Sequence, residues 1–203
     1  MEVYTNMESE CIVSAWGGLV NIVALFISVF ALLFIIFSFW WMNWRRGKII
    51  VGLPRSFAAT SKSEDDLLIV QLPLVFYNDG AASQVIQNLR LTLAQNGNRS
   101  AILYFNNTVR DLVNVQNREW ARQFAVEGRK SYSSVFVFQR KPGNFIFHKG
   151  KCQAILEGKL NNDKNWKAIL TFDLQISAKS IKTINSGQLI PYDNDPDIER
   201  ENG

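Results

Sequence analysis

The stretch LLIVQLPLVFYNDGAASQVIQNLRLTLAQ, residues 67–95, decides the fold, because it sets two apolar runs of strand length on either side of a turn. The first run, 67–78, contains Pro73, which cannot donate a ladder hydrogen bond and so points to a sheet edge or a bulge. Asn78, Asp79 and Gly80 then supply turn chemistry, with Gly80 free to take unusual backbone angles. In the second run, 84–95, Ile86, Leu89, Leu91 and Leu93 mostly alternate against Asn88, Arg90, Thr92 and Ala94. This is the pattern of a half-buried strand.

The same reading extends in both directions. KIIVGL at 48–53 suits a first strand, and Asn96-Gly97-Asn98 turns the 84–95 strand into SAILYFN at 100–106. SYSSVFVFQR at 131–140 alternates on both parities, as a strand covered on one face and partly on the other would. KCQAILEGKL at 151–160 and NWKAILTFDLQIS at 165–177 flank Asn161-Asn162-Asp163-Lys164, a further hairpin. Only NREWARQF, 117–124, reads as helical, with Asn117 as its N-cap. About seven strands and one short helix predict an all-β sandwich.

Two segments carry a resemblance. LVFYNDGAASQVIQNLRLTL resembles the B and C strands of bacterial immunoglobulin-like domains, and FAVEGRKSYSSVFVF resembles a later strand of the same fold. The resemblance covers residues 48–178 and implies an immunoglobulin-like Greek-key β-sandwich with an interacting or architectural role and no catalytic residues.

Before this domain lies a different kind of sequence. Leu19 to Met42 holds no charged residue, and a helix of that length rises roughly 36 Å, enough to cross a ~30 Å hydrocarbon core. No small-x-small cleavage site follows the run, which argues against a signal peptide. Trp16 at one end and Trp40, Trp41 and Trp44 at the other are expected at the two membrane interfaces. Arg45, Arg46 and Lys48 crowd the C-terminal flank, whereas the first 44 residues carry no basic residue. The positive-inside rule therefore places the N-terminus outside and the following domain in the cytoplasm. Ala24, Ser28 and Ala31 present small residues at helical spacing, a route to homo-oligomers. The expected organisation is a short segment at 1–18, a transmembrane helix at 19–44, a β-sandwich at 45–182 and an acidic, disordered tail at 183–203.

Charge supports the same division. Residues 45–182 hold 21 Lys and Arg against 10 Asp and Glu, a net of +11, and the tail holds five acids against Arg200. A basic domain beside an anionic leaflet is attracted to it, Arg55 being a further well-placed cation. Nucleic acid is a weaker candidate partner, since the aromatics Tyr132, Phe136 and Phe138 read as core.

Little in the chain suggests catalysis. There is one histidine, His148, and the cysteines are Cys11 and Cys152 on opposite sides of the apolar run, so no internal disulfide is expected. His148 and Cys152 would share a face only if FHKGKC were a continuous strand, and Gly150 favours a bend. No metal, cofactor or catalytic residue is expected, and Walker, dinucleotide, HExxH and Gly-x-Ser-x-Gly patterns are absent. Glu64-Asp65-Asp66 reads as a solvated loop, and Asn98 and Asn106 head N-glycosylation patterns that matter only in the opposite orientation. The expectation is a non-enzymatic, single-pass membrane protein that docks to other membrane proteins as a scaffold or accessory subunit. Its alternative is a tethered sensor whose basic domain binds a nucleotide or lipid headgroup.

Overall fold

The structure, a computed structural model, describes residues 2–62, 67–95, 99–112, 118–140 and 145–194. The chain divides into two compact units, Met1–Arg45 and Arg46–Gly203. The first is one helix, α1 (Glu2–Asn43), so the residues expected to form a separate segment at 1–18 belong to the same helix from Glu2 onward. Within it, Asn21–Asn43 is long and apolar enough to cross a membrane. Its large side chains are exposed, Phe30 by 70% and Phe34 by 71%. A helix in a soluble core would bury one face at least.

The second unit is built from strands. Among the described residues these are β1 (Ile49–Val51), β2 (Ser56–Lys62), β3 (Leu67–Asn78), β4 (Gln84–Gln95), β5 (Arg99–Val109), β6 (Glu119–Trp120), β7 (Phe124–Val126), β8 (Ser131–Arg140), β9 (Gly150–Leu160), β10 (Lys167–Ile176) and β11 (Ile190–Asp193). One helix, α2 (Ala178–Asn185), precedes β11. All the strands belong to one sheet in the order β10-β9-β4-β5-β8-β3-β2-β11, with β1 beside β3, β7 beside β4 and β6 beside β5.

This overturns the immunoglobulin-like Greek-key sandwich. A sandwich buries its core between two sheets, whereas this single sheet curls into an open half-barrel. Its concave face gathers Phe57, Leu72, Leu91, Phe136, Leu156 and Leu174 into one core, which Ile184 of α2 joins. Register shifts between Ile86 and Asn88, between Phe105 and Asn107, and between Ala168 and Leu170 add local twist, which is how long strands bend around a shared interior.

β3 shows how one residue shapes its neighbours. The Val75 carbonyl accepts from the Gly52 N–H at 3.0 Å, so by strand alternation the backbone of Pro73 points the same way. On that side β2 pairs with β3 only as far as Gln71, and β1 begins only at Phe76. Pro73 sits in the gap, where no donor is missed.

β8 buries four consecutive residues. Phe136 and Phe138 enter the main core, while Val135 and Val137 pack on the opposite face with Ile69, Val109 and Leu112. The segment expected as a helix at 117–124 instead contributes β6 and leads into β7, and Asn117 lies outside the described residues. The segment expected as a disordered tail at 183–203 begins within α2 and continues into β11, whereas 195–203 lie outside the described residues. Helix α2 is set by Ser177, whose side chain accepts from the Ser180 N–H, and by Ile184, which is fully buried.

Candidate functional site

The C-terminal end of α1 is an aromatic collar. Phe37 lies 6.1 Å from Trp40 and 6.0 Å from Trp41, and Phe39 meets Trp44 edge-on at 5.6 Å. The Arg45 guanidinium stands 4.7 Å from the Trp41 ring, a cation–π arrangement. Indole and guanidinium together suit the headgroup layer, where an apolar body and a polar tip are both satisfied. Trp16 lies within α1, in a part of the helix whose side chains are outside the description.

Three residues, 44–46, separate α1 from a clasp that holds the chain to the sheet. The Gln84 Nε2 donates to the Gly47 carbonyl at 2.6 Å, and the Asp79 N–H donates to the Lys48 carbonyl at 3.2 Å. The Lys48 N–H returns a bond to Asp79 Oδ1. Gly47 is required here, since a Cβ would stand 2.0 Å from the Gly80 nitrogen. Fully buried Asn78 organises the turn: its Nδ2 donates to the carbonyls of Ala82 and Val126, and its Oδ1 accepts from the Gly80 N–H at 3.0 Å. The neighbouring 128–130 turn joins through Arg129 N–H to Gly80 O at 2.8 Å and Asn78 N–H to Lys130 O at 3.1 Å.

Beside the clasp opens a cleft of ≈ 1040 Å³. Arg46 and Lys48 form one wall, Gln84 and Gln87 of β4 another, and the β9–β10 turn with Asn161, Asp163 and Lys167 a third. The turn is fixed in place: Asn161, at φ +54°, donates its N–H to Val85 O at 2.7 Å and accepts the Val85 N–H on Oδ1 at 3.0 Å. Lys167 Nζ stands 2.7 Å from Asp163, whose carboxyl is held below the usual carboxylate range chiefly by that contact. The cleft thus brings together three side-chain cations and one acid.

A second charged group lies on β4 and β9. Arg90 and Glu157 pair through two bonds of 2.7 and 2.8 Å, and Thr92 Oγ1 donates to the same carboxylate at 3.1 Å. Glu157 is lowered by its hydrogen bond to Arg90, and Arg90 is raised in return. The Trp166 ring receives Arg90 at 4.5 Å and Lys159 at 5.0 Å.

The residues that could have carried chemistry are kept apart. Cys152 is fully buried in the core, with its thiol pushed up to about 12 by burial, and His148 is exposed beyond Gly150 at φ +112°. Asn106, head of one glycosylation pattern, donates to Gln139 at 2.9 Å within the sheet, and Asn98 and 64–66 lie outside the described residues. Of the interface residues expected from the sequence, Arg46 and Lys48 meet in the cleft, while Trp40, Trp41, Trp44 and Arg45 group at the end of α1. Lys167 and Asn161 were legible only as parts of a hairpin, because nothing in linear spacing links them to Arg46.

No family model matches the chain, and no curated protein matches it. Among solved structures, a Bordetella pertussis protein described as ApaA aligns at TM-score 0.39 and 7% identity, over 66% of this chain and 98% of its own. A protein from Archaeoglobus fulgidus aligns at 0.31 and 8% identity, over 73% and 94%. A Bacillus subtilis protein described as a lipoprotein, YcdA, aligns at 0.33 and 14% identity, over 70% of this chain and 41% of its own. Likenesses of this size carry no argument about function.

Proposed function

We propose that this chain is a single-pass membrane protein whose β-domain docks to another membrane protein as a scaffold or accessory subunit, without catalysing a reaction. The N-terminus is outside and the β-domain is cytoplasmic, as the basic flank Arg45, Arg46 and Lys48 directs. The observation that carries the reading is an exposed apolar patch placed directly after the clasp. Ile50 pairs across strands with Tyr77, and the two are 52% and 42% exposed, with Val75 beside them at 47%. Ile50 lies seven residues after Asn43, a length of chain that spans at most about 25 Å when fully extended. A juxtamembrane segment of a partner is therefore within reach of the patch, and the small residues Ala24, Ser28 and Ala31 offer α1 a helix partner or a second copy of itself.

The test is a photo-crosslinker placed at Ile50 or Tyr77 in native membranes, with Gln153 as a remote control. The docking reading expects one discrete membrane-protein adduct from the first two positions and none from the third. Crosslinking to lipid alone at all three would overturn it.

A second reading is favoured by the cleft: a tethered sensor whose Arg46, Lys48 and Lys167 receive a small anion, with α1 oligomerising in response.

A further inference from the structure

We propose that the cleft between the 46–49 segment, the start of β4 and the β9–β10 turn binds a phosphate monoester, carried either by a lipid headgroup or by a soluble compound. The proposal deepens the sensor reading and rests on it; the docking reading can fail without affecting it. Its first support is charge. Arg46, Lys48 and Lys167 line one concavity with a single acid, Asp163, and that acid is engaged by Lys167 at 2.7 Å and by the Asn165 N–H at 3.0 Å. The side chains lining the cleft carry +2, and the Asp79 carboxylate bonded to the Lys48 N–H brings the local excess to +1, which still attracts a phosphate monoester of about −1.5 to −2 near neutral pH.

Geometry is the second support. Arg46 presents a planar fork of donors and Lys48 a point charge, the pair of chemistries that phosphate recognition uses. Asn161 spends its Oδ1 on the Val85 N–H, which leaves its NH2 end as a donor. A volume of ≈ 1040 Å³ exceeds the needs of a bare ion and admits the ester's organic part. The walls are also set in advance. Gly47, between the two cations, is pinned against Gly80, and Asn161 is bonded to Val85 through both its backbone and its side chain. A wall already ordered loses little entropy on binding.

Access to both sources follows from the chain itself. Arg46 is three residues beyond Asn43, so at full extension it stands no more than about 11 Å from the end of the span, whatever the angle between helix and sheet. A phosphate in the headgroup layer and one in bulk solution can each reach it.

The experiment uses the full-length chain in nanodiscs and reads hydrogen–deuterium exchange at 46–49, 84–87 and 160–169. In one arm, phosphatidylcholine discs receive glycerol 3-phosphate, or glutamate as a carboxylate control. In the other, discs contain phosphatidic acid, or phosphatidylglycerol adjusted to the same surface charge. Protection by glycerol 3-phosphate supports the proposal with a soluble source, and protection by phosphatidic acid alone supports it with a lipid source. Equal protection by phosphatidylglycerol or glutamate overturns the monoester assignment while leaving an anion sensor standing. No protection by any anion overturns both.

Two variants complete the test. Arg46→Gln with Lys167→Gln weakens the response at least about tenfold, the loss expected for two charge-assisted contacts. Lys149→Gln with Lys151→Gln removes the same charge from exposed positions outside the cleft and leaves the response unchanged. Equal weakening in both variants would mean diffuse attraction and would overturn the site. Unchanged thermal unfolding of each variant confirms that the comparison is made between folded proteins.

Discussion

The side chain of Asn194 holds the backbone of Gln175: its Oδ1 accepts the Gln175 N–H at 2.9 Å, while its Nδ2 donates to Asp173 O and Pro54 O at 3.1 Å each. Gln175 belongs to β10 at one end of the strand order, and Asn194 follows β11 at the other. One amide therefore pins together the two ends of a sheet whose strands do not pair there. It also occupies an edge N–H that would otherwise invite another strand.

Replacing Asn194 with Ala leaves the Gln175 N–H and two carbonyls without this partner. Stability should fall by about 2 kcal/mol, the usual cost of stranding buried polar groups. Chemical unfolding measures the loss, and exchange at the Gln175 amide should accelerate more than exchange at Leu91 in the sheet centre.

The clasp makes a second prediction. Gly47→Ala places a methyl group 2.0 Å from the Gly80 nitrogen, so the 46–48 segment must move away from the turn. Overpacking of this kind costs roughly 1–3 kcal/mol. Because the displaced segment lines the cleft, the response to a phosphate monoester should weaken along with stability. A fully stable Gly47→Ala protein with an unaltered response would contradict the clasp.

At the centre of the core, Phe136 stands 5.2 Å from Phe76, 5.3 Å from Phe105 and 5.6 Å from Phe124. Phe136→Ala should cost about 3–5 kcal/mol. Val135→Ala, on the opposite face with only a small cluster behind it, should cost less; equal losses would mean that the two faces of β8 are equally packed.

The Arg90–Glu157 pair predicts a pH dependence. Glu157 is lowered in the folded state, so its contribution is present above the ordinary glutamate pKa of about 4.3 and is lost as pH falls through the lower folded value. The wild type should lose stability on acidification below about pH 4.3, and Glu157→Gln should flatten that part of the profile while lowering stability at pH 7. Thermal unfolding from pH 3 to pH 7 compares the two.

Much of the fold was legible because the strand signals are strictly local. β3, β4 and β8 begin and end where alternation and turn residues put them, whereas Pro73, which pointed to an edge or a bulge, sits in an interior strand opposite a gap between β2 and β1. The bulge in β4 was not read, although Ile86 and Leu89 are three apart where alternation requires two, and the register shift between Ile86 and Asn88 absorbs the extra residue. Alternation reports which face of a strand is buried, but not whether the covering layer is a second sheet or the same sheet curled round. That is why the strands of a sandwich were found arranged as a half-barrel. The helix α2 was missed although Ser177, Ile181 and Ile184 carry its cap and period, because eight residues between polar stretches give a weak signal. The cleft was half legible: the cations at 46 and 48 stood out beside the apolar run, whereas Lys167 joins them only through the register of β10 on β9 and of β9 on β4.

The central claim is that one helix crosses the membrane and leaves the β-domain on the cytoplasmic side. It is tested most directly by protease treatment of sealed membrane vesicles of known sidedness, after an alkaline carbonate wash to remove peripheral proteins. The account predicts that the chain stays in the membrane fraction, that Arg46 onward is accessible in inside-out vesicles, and that the same region is protected in right-side-out ones. Release by carbonate, or protection of the β-domain in inside-out vesicles, would contradict it.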